Sequence, residues 1–348
     1  MEEAKPSNRL KELDALRGIA AVMVVLFHLG LPSPEAGKVF KFGTTGVDLF
    51  FMISGFVIFM SISHVKSLYE FAVNRFARLY PTYWGGLFFS GFVICALSLM
   101  YYHRWPKEFI GKFLVNITMF QYFLGFPDIE SPYWTLAIEM SFYFFVAFLY
   151  ARNWLIYYKQ IGVGMLAIIS ISYYFYTENE LRFVNSVFPL FQFFPLFFSG
   201  MLFFEMFKKE KGATYLQYVL IAISFLCQLF LFKCVGGSRN YISYSEYFLV
   251  LSGYFLVFFA IVFRKLSFIS NRPLIFMGKI SYALYLIHQY FSVSFLIPYF
   301  NNYLKINIFV VIIFICVPIL IVISSFITFY IEAPLSKRIK TLLLPKRT

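Results

Sequence analysis

Apolar residues in this chain come in long unbroken runs, not in the alternation of a half-buried strand or the three-and-four spacing of a surface helix. A bilayer core of about 30 Å takes roughly 20 helical residues per crossing, and ten runs satisfy this once short or tilted crossings are admitted. They lie at about 13–31, 46–64, 81–101, 134–151, 161–177, 187–207, 214–233, 244–263, 280–299 and 307–330. The pattern predicts an all-α integral membrane protein of about ten transmembrane helices, with residues 1–348 forming a single membrane domain. The stretch 109–124 is apolar but short and bounded by polar loops, so it reads as a re-entrant or interfacial piece rather than an eleventh crossing. The polar opening MEEAKPSNRLKELDALRG is too long for a cleavable signal peptide, so the first run is expected to stay as a helix.

Composition agrees: 60% of residues are hydrophobic and only 14% charged, against roughly a quarter charged in ordinary soluble proteins. A soluble enzyme is excluded. The net charge of +13 is distributed in short clusters between the apolar runs, which membrane topology explains and nucleic-acid binding does not. With ten crossings both termini share one side, and that side collects 21 of the 30 Lys and Arg residues. Basic residues accumulate in cytoplasmic loops, so both termini are expected in the cytoplasm. Cys95, Cys227, Cys234 and Cys316 lie mostly within apolar runs without the spacing of a metal site or disulfide framework, so no metal is expected.

An ionisable group inside a membrane span costs roughly 2.5–3.5 kcal/mol on insertion scales, which makes each one a functional candidate. In LDALRGIAAVMVVLFH, Arg17 and His28 are eleven residues apart, about three turns, and share a helix face some 16 Å apart along the axis. An anchor at one end and a water-facing histidine at the other would fit equally. The second run opens GVDLFFMISGF, where Asp48 falls near the same face of the membrane as His28 and Ser54 lies among small residues that permit close approach. Asp48 serves either as a partner that fixes the His28 tautomer or as an N-terminal helix charge. Arg75 and Arg78 in NRFARLYP are helical neighbours suited to phosphate oxygens or to lipid headgroups. Glu139 sits one turn inside the fourth run and needs a partner from another helix; counted from the chain's entrance, it lies at the depth of His28 and Asp48. In the ninth run Tyr282, Tyr285 and His288 recur at three-residue spacing, facing a polar cavity or packing; Tyr80 and Trp134 are further candidates for its lining.

Taken in order, Arg17 with His28, GVDLFFMISGF at 46–56, NRFARLYP, YWTLAIE at 133–139, ISYALYLIHQ at 280–289 and IEAPLSK at 331–337 resemble the membrane-bound acyltransferase 3 family, whose bacterial members O-acetylate cell-surface and secreted polysaccharides. The resemblance covers nearly the whole chain and is to members without an additional extracytoplasmic hydrolase-like domain. It implies transfer of an acyl group, most often acetyl, from cytoplasmic acetyl-CoA (acyl-CoA) to a hydroxyl of a glycan or glycoside acceptor, with no permanently bound cofactor, at a bacterial plasma membrane. On this resemblance His28 is the essential intramembrane histidine and Arg17, Arg75 and Arg78 are the essential arginines, holding the donor phosphates while the pantetheine arm threads toward His28. Asp48, Glu139 and His288 carry over less directly. His28 would act as general base, with Glu139 or Asp48 orienting its ring, or would attack the thioester to give an acyl-histidine. The rival class is a multi-pass transporter of a small polar solute or glycan precursor, although no inverted repeat or paired broken helices are visible.

Overall fold

The computed structural model describes residues 10–209, 214–234 and 237–345. The basic residues Lys5, Arg9, Lys211, Lys346 and Arg347, counted above, lie outside them. Every regular element among the described residues is helical. In chain order these are α1 (Lys11–Gly30), α2 (Pro34–Phe40), α3 (Gly46–Ile62), α4 (Leu68–Tyr102), α5 (Phe109–Ile117), α6 (Trp134–Ala151), α7 (Tyr158–Phe175), α8 (Glu178–Val187), α9 (Phe194–Lys209), α10 (Tyr215–Cys234) and α11 (Tyr244–Val262). Two long helices complete the chain, α12 (Arg272–Tyr303) and α13 (Ile308–Leu343), each with π-helical turns. Nine helices among the described residues are long and apolar enough to cross a membrane, and a bent pair makes a tenth.

α1 is the axis of the bundle, packed against α12 and α3, while α3 packs on α9. Two glycine contacts set these crossings, as small residues do between membrane helices. A Cβ on Gly278 would lie 1.9 Å from the Asp14 carbonyl oxygen, and one on Gly55 2.1 Å from that of Phe197, so α1 meets α12 and α3 meets α9 backbone to backbone.

Several helices depart from the runs that hydropathy delimits. α4 begins at Leu68, well before the run at 81, because Ser67 caps it by accepting a hydrogen bond from Glu70 N and the helix continues through Pro81. A helix outside the bilayer core needs no apolar residues, so hydropathy does not see this first part. α12 likewise starts early, at the Asn271 cap, and α13 runs on to Leu343. The run at 187–207 is not one straight crossing: α8 and the helix from Phe191 meet at 98°. Pro189 breaks the chain there, and α8 is a separate helix with its own Thr177–Glu180 capping box.

The segment 109–124 does not cross. Phe109 and Phe113 press on Gly91, the Trp84 indole donates to the Ile117 carbonyl at 3.0 Å and the Tyr80 hydroxyl to the Thr118 carbonyl at 2.8 Å. The chain thus follows α4 from Gly91 toward Tyr80, about 16 Å of helix rise, and is back beside Ser90 by Glu130, whose carboxylate accepts from Ser90 Oγ at 2.7 Å. It is a re-entrant piece, and it starts α6 below the level of the neighbouring helix ends.

Candidate functional site

A cavity of about 360 Å³ opens between α1, α3, α4, α6 and α12. The face of α3 that lines it carries Val47, Phe50, Ser54 and Val57 at three- and four-residue spacing, so Asp48 falls on another face. Arg17, Arg75 and Arg78 stand at one end, Glu139, Tyr143, Ser281 and Tyr282 along the walls, and Thr135 and Tyr285 at the other end.

Each guanidinium has five N–H donors, and the described residues engage few of them. Arg75 donates one hydrogen bond, from Nη2 to Ser61 Oγ at 3.0 Å, and its buried Nε has no partner among the described residues. Its plane is held over the Phe71 and Tyr143 rings, at 5.7 and 5.9 Å. Arg78 faces Glu332 across 3.6 Å, an ion pair too long for a hydrogen bond. Arg17 has Arg78, Glu139, Tyr143 and Asp14 as its electrostatic neighbours. Glu139 accepts from Tyr143 Oη at 2.5 Å and from Ser54 Oγ at 3.4 Å. The buried Tyr282 hydroxyl has no partner among the described residues.

His28 pairs with His288, whose Nε2 lies 3.1 Å from His28 Nδ1. The surrounding carbonyls assign the protons. His288 Nδ1 is 2.8 Å from the Tyr285 carbonyl, so it carries a hydrogen and leaves Nε2 as an acceptor. His28 Nδ1 is 3.0 Å from the Val24 carbonyl, so it too carries a hydrogen, shared with His288 Nε2. The basic nitrogen of His28 is therefore Nε2. Behind this pair, Glu130 accepts from the backbone N–H of Tyr290 at 3.0 Å, two residues beyond the fully buried His288. Tyr285 separates the pair from the cavity: it lines the cavity, and its ring centroid is 5.8 Å from that of His288.

The expected convergence of His28, Asp48 and Glu139 at one depth does not occur. Thr135 Oγ1 bonds Tyr285 Oη at 2.8 Å; Glu139 lies one turn from Thr135 toward the arginines, and His288 one turn from Tyr285 the other way. Glu139 thus belongs with Arg17. Depth counted from the chain's entrance fails because the re-entrant segment lowers the start of α6. Asp48 is buried against Tyr247 of α11, which also takes a hydrogen bond from Gln228 Nε2 at 3.3 Å. Neither carboxylate orients His28; His288 does. Of the other candidates, Ser54, Tyr282 and Tyr285 line the cavity, whereas Tyr80 is tied to the re-entrant backbone and Trp134 packs on Phe193 at the bundle surface. Sequence reasoning passed over Tyr143, which its four-residue spacing from Glu139 could have revealed, and over Thr135 and Glu332, the latter a carboxylate two residues past the last apolar run.

A family model described as "Acyltransferase domain" (Acyl_transf_3) matches residues 10–330. A protein of Acidianus two-tailed virus, provisionally named an acetyltransferase, is 23% identical over 78% of this chain and 80% of its own length. A Staphylococcus aureus protein, provisionally named an O-acetyltransferase, is 27% identical over 93% of this chain, which spans 57% of the length of that relative. A Komagataeibacter xylinus protein, provisionally named a membrane-bound transacylase, is 28% identical over 40% of this chain and 36% of its own length. No solved structure matches the chain significantly.

Proposed function

Since this chain belongs to the acyltransferase 3 family and is a multi-pass membrane protein, we propose that it moves an acyl group, acetyl foremost, from a cytoplasmic acyl-CoA to a hydroxyl of a cell-surface or exported glycan. The names of its viral and staphylococcal relatives support acetyl transfer, and the latter transfer to oxygen. The observation that carries the reading is the cavity itself, which joins three guanidiniums with unengaged donors to a wall directly in front of a histidine pair. Guanidinium forks match phosphate oxygens. Both termini and the arginine end face the cytoplasm, where the excess of basic residues puts them, and the membrane is the plasma membrane.

In this reading Arg17, Arg75 and Arg78 hold the donor phosphates, and the pantetheine arm lies along the cavity past Glu139 and Tyr282. The Tyr285 side chain that closes the cavity turns aside to let the thioester reach His28. The acceptor hydroxyl approaches from the opposite side and gives its proton to His28 Nε2. Its oxygen attacks the thioester carbonyl, the C–O ester bond forms, the C–S bond breaks, and the proton passes from His28 to the departing CoA thiolate. The ring becomes an imidazolium only in passing, with its Nδ1–H held by His288 Nε2 and the Val24 carbonyl. The test uses membranes carrying the native chain or His28→Ala, acyl-labelled acetyl-CoA and host glycans. Base-labile label on glycan, with stoichiometric CoA release, is expected from the native chain alone. Equal transfer by the variant, or solute flux without CoA release, would overturn the reading.

A further inference from the structure

The last segment of α13, Ala333–Leu343, is a basic helical extension that the reading above leaves without a role. It packs along α4. Ile327 and Ile331 of α13 close on Gly85 of α4, and Glu332 meets Arg78. The two helices are antiparallel, so counting from Ile327 and Ile331 opposite Gly85 and from Glu332 opposite Arg78 brings Lys340 level with the stretch 70–76 of α4, beside Arg75 and farther out than Arg78. Lys340 has these two arginines as its electrostatic neighbours and makes no ion pair among the described residues. Glu332 meanwhile has one carboxylate oxygen toward Arg78 and the other buried without a partner among the described residues. That carboxylate holds the cavity-lining Arg78 guanidinium, and Lys340, exposed, is a further cation on the part of α13 that packs along α4.

Coenzyme A presents its anions in a fixed order. The diphosphate adjoins the pantetheine, and the 3′-phosphate lies beyond it on the ribose. If Arg75 and Arg78 take the diphosphate where the pantetheine leaves the cavity, the next cation outward meets the 3′-phosphate. We propose that Lys340 is a further donor-binding residue that receives the 3′-phosphate of the coenzyme A donor. This rests on the acyl-CoA reading above and names a contact that reading does not include.

The test is kinetic, on the full chain reconstituted in phosphatidylcholine vesicles, with acetyl-CoA and acetyl-3′-dephospho-CoA as donors and host glycans as the acceptor. Lys340→Ala raises KM for acetyl-CoA about tenfold, the scale of one charge-assisted hydrogen bond, leaves kcat unchanged and leaves KM for the dephospho donor unchanged. Lys340→Arg restores the low KM. Equal rises for both donors, or no rise for either, overturn the assignment. So does a rise seen only when phosphatidylglycerol is added, because Lys340 would then be serving a lipid phosphate. A native chain that uses neither donor defeats the acyl-CoA reading itself, which the native controls report separately from the variant.

Discussion

Two groups of buried polar side chains lie against different faces of α3. On one face, Ser54 joins Glu139, Tyr143 and the arginines around open space. On another, Asp48 is packed with Tyr247 and Gln228, while Tyr254 bonds Thr45 at 2.7 Å. Both groups bear the cost of removing polar atoms from water. They differ in what surrounds the polar atoms: around Asp48 the neighbours are protein groups in contact, even though Gln228 Oε1 has no partner among the described residues, whereas around the cavity the Tyr282 hydroxyl and Arg75 Nε are left over beside open space. Buried polarity of the first kind holds helices together, and buried polarity of the second kind lines a space that a ligand could enter. The positions of Asp48 and Glu139 along the chain do not reveal which is which.

The largest effect that would test this distinction is at the histidine pair. His28→Ala lowers kcat for acetyl transfer by about 10²–10⁴-fold, the range of a general base, with the donor KM and membrane insertion unchanged; loss confined to KM would place His28 in binding instead. His288→Ala leaves the base present but frees its ring, and lowers kcat by about tenfold, a loss of about 1.4 kcal/mol, measured in the same assay. On the cavity side, Arg75→Ala raises the acetyl-CoA KM by tenfold or more, from about 1.5–3 kcal/mol of charge-assisted bonding, while the thermal unfolding midpoint in detergent holds. The packed group behaves oppositely: Asp48→Ala leaves KM unchanged and destabilises the fold by about 1–3 kcal/mol, the cost of stripping a partner from buried polar atoms, read as a lowered midpoint. A raised KM there would merge the two groups. Smallest is Tyr80→Phe, which removes the bond to the Thr118 carbonyl, about 0.5–1.5 kcal/mol, and leaves donor kinetics untouched; any change in KM would return Tyr80 to the cavity.

Much of this molecule is legible in one dimension because lipid imposes a local rule. A crossing helix must satisfy its own backbone and cover itself with apolar side chains, so α3, α6, α10 and α11 begin and end close to where hydropathy changes. The same rule says nothing where water or protein is the solvent, and there the reading slips: the first part of α4, the bend at Pro189, and the end of α13 that bears Lys340. Arg17 and His28 stood out as ionisable groups in an apolar run, and Arg75 and Arg78 as a helical pair suited to phosphate. His288 and Glu139 stood out as well, but their pairing with His28 and Arg17 did not, and Tyr143, Glu332 and Thr135 draw notice only when the helices are assembled.

By itself, then, the sequence determined an all-helical membrane bundle and the family it belongs to, and it singled out three arginines and a histidine as candidates. Tertiary structure decided which of these share a cavity, that Glu139 sides with Arg17 rather than His28, that Asp48 is packed away against Tyr247, and that His288 fixes the His28 tautomer. The reason is physical: burial in lipid depends on each helix alone, whereas depth, facing and hydrogen-bond partnership depend on where the re-entrant segment starts α6 and on how closely Gly18 and Gly278 let α1 and α12 approach.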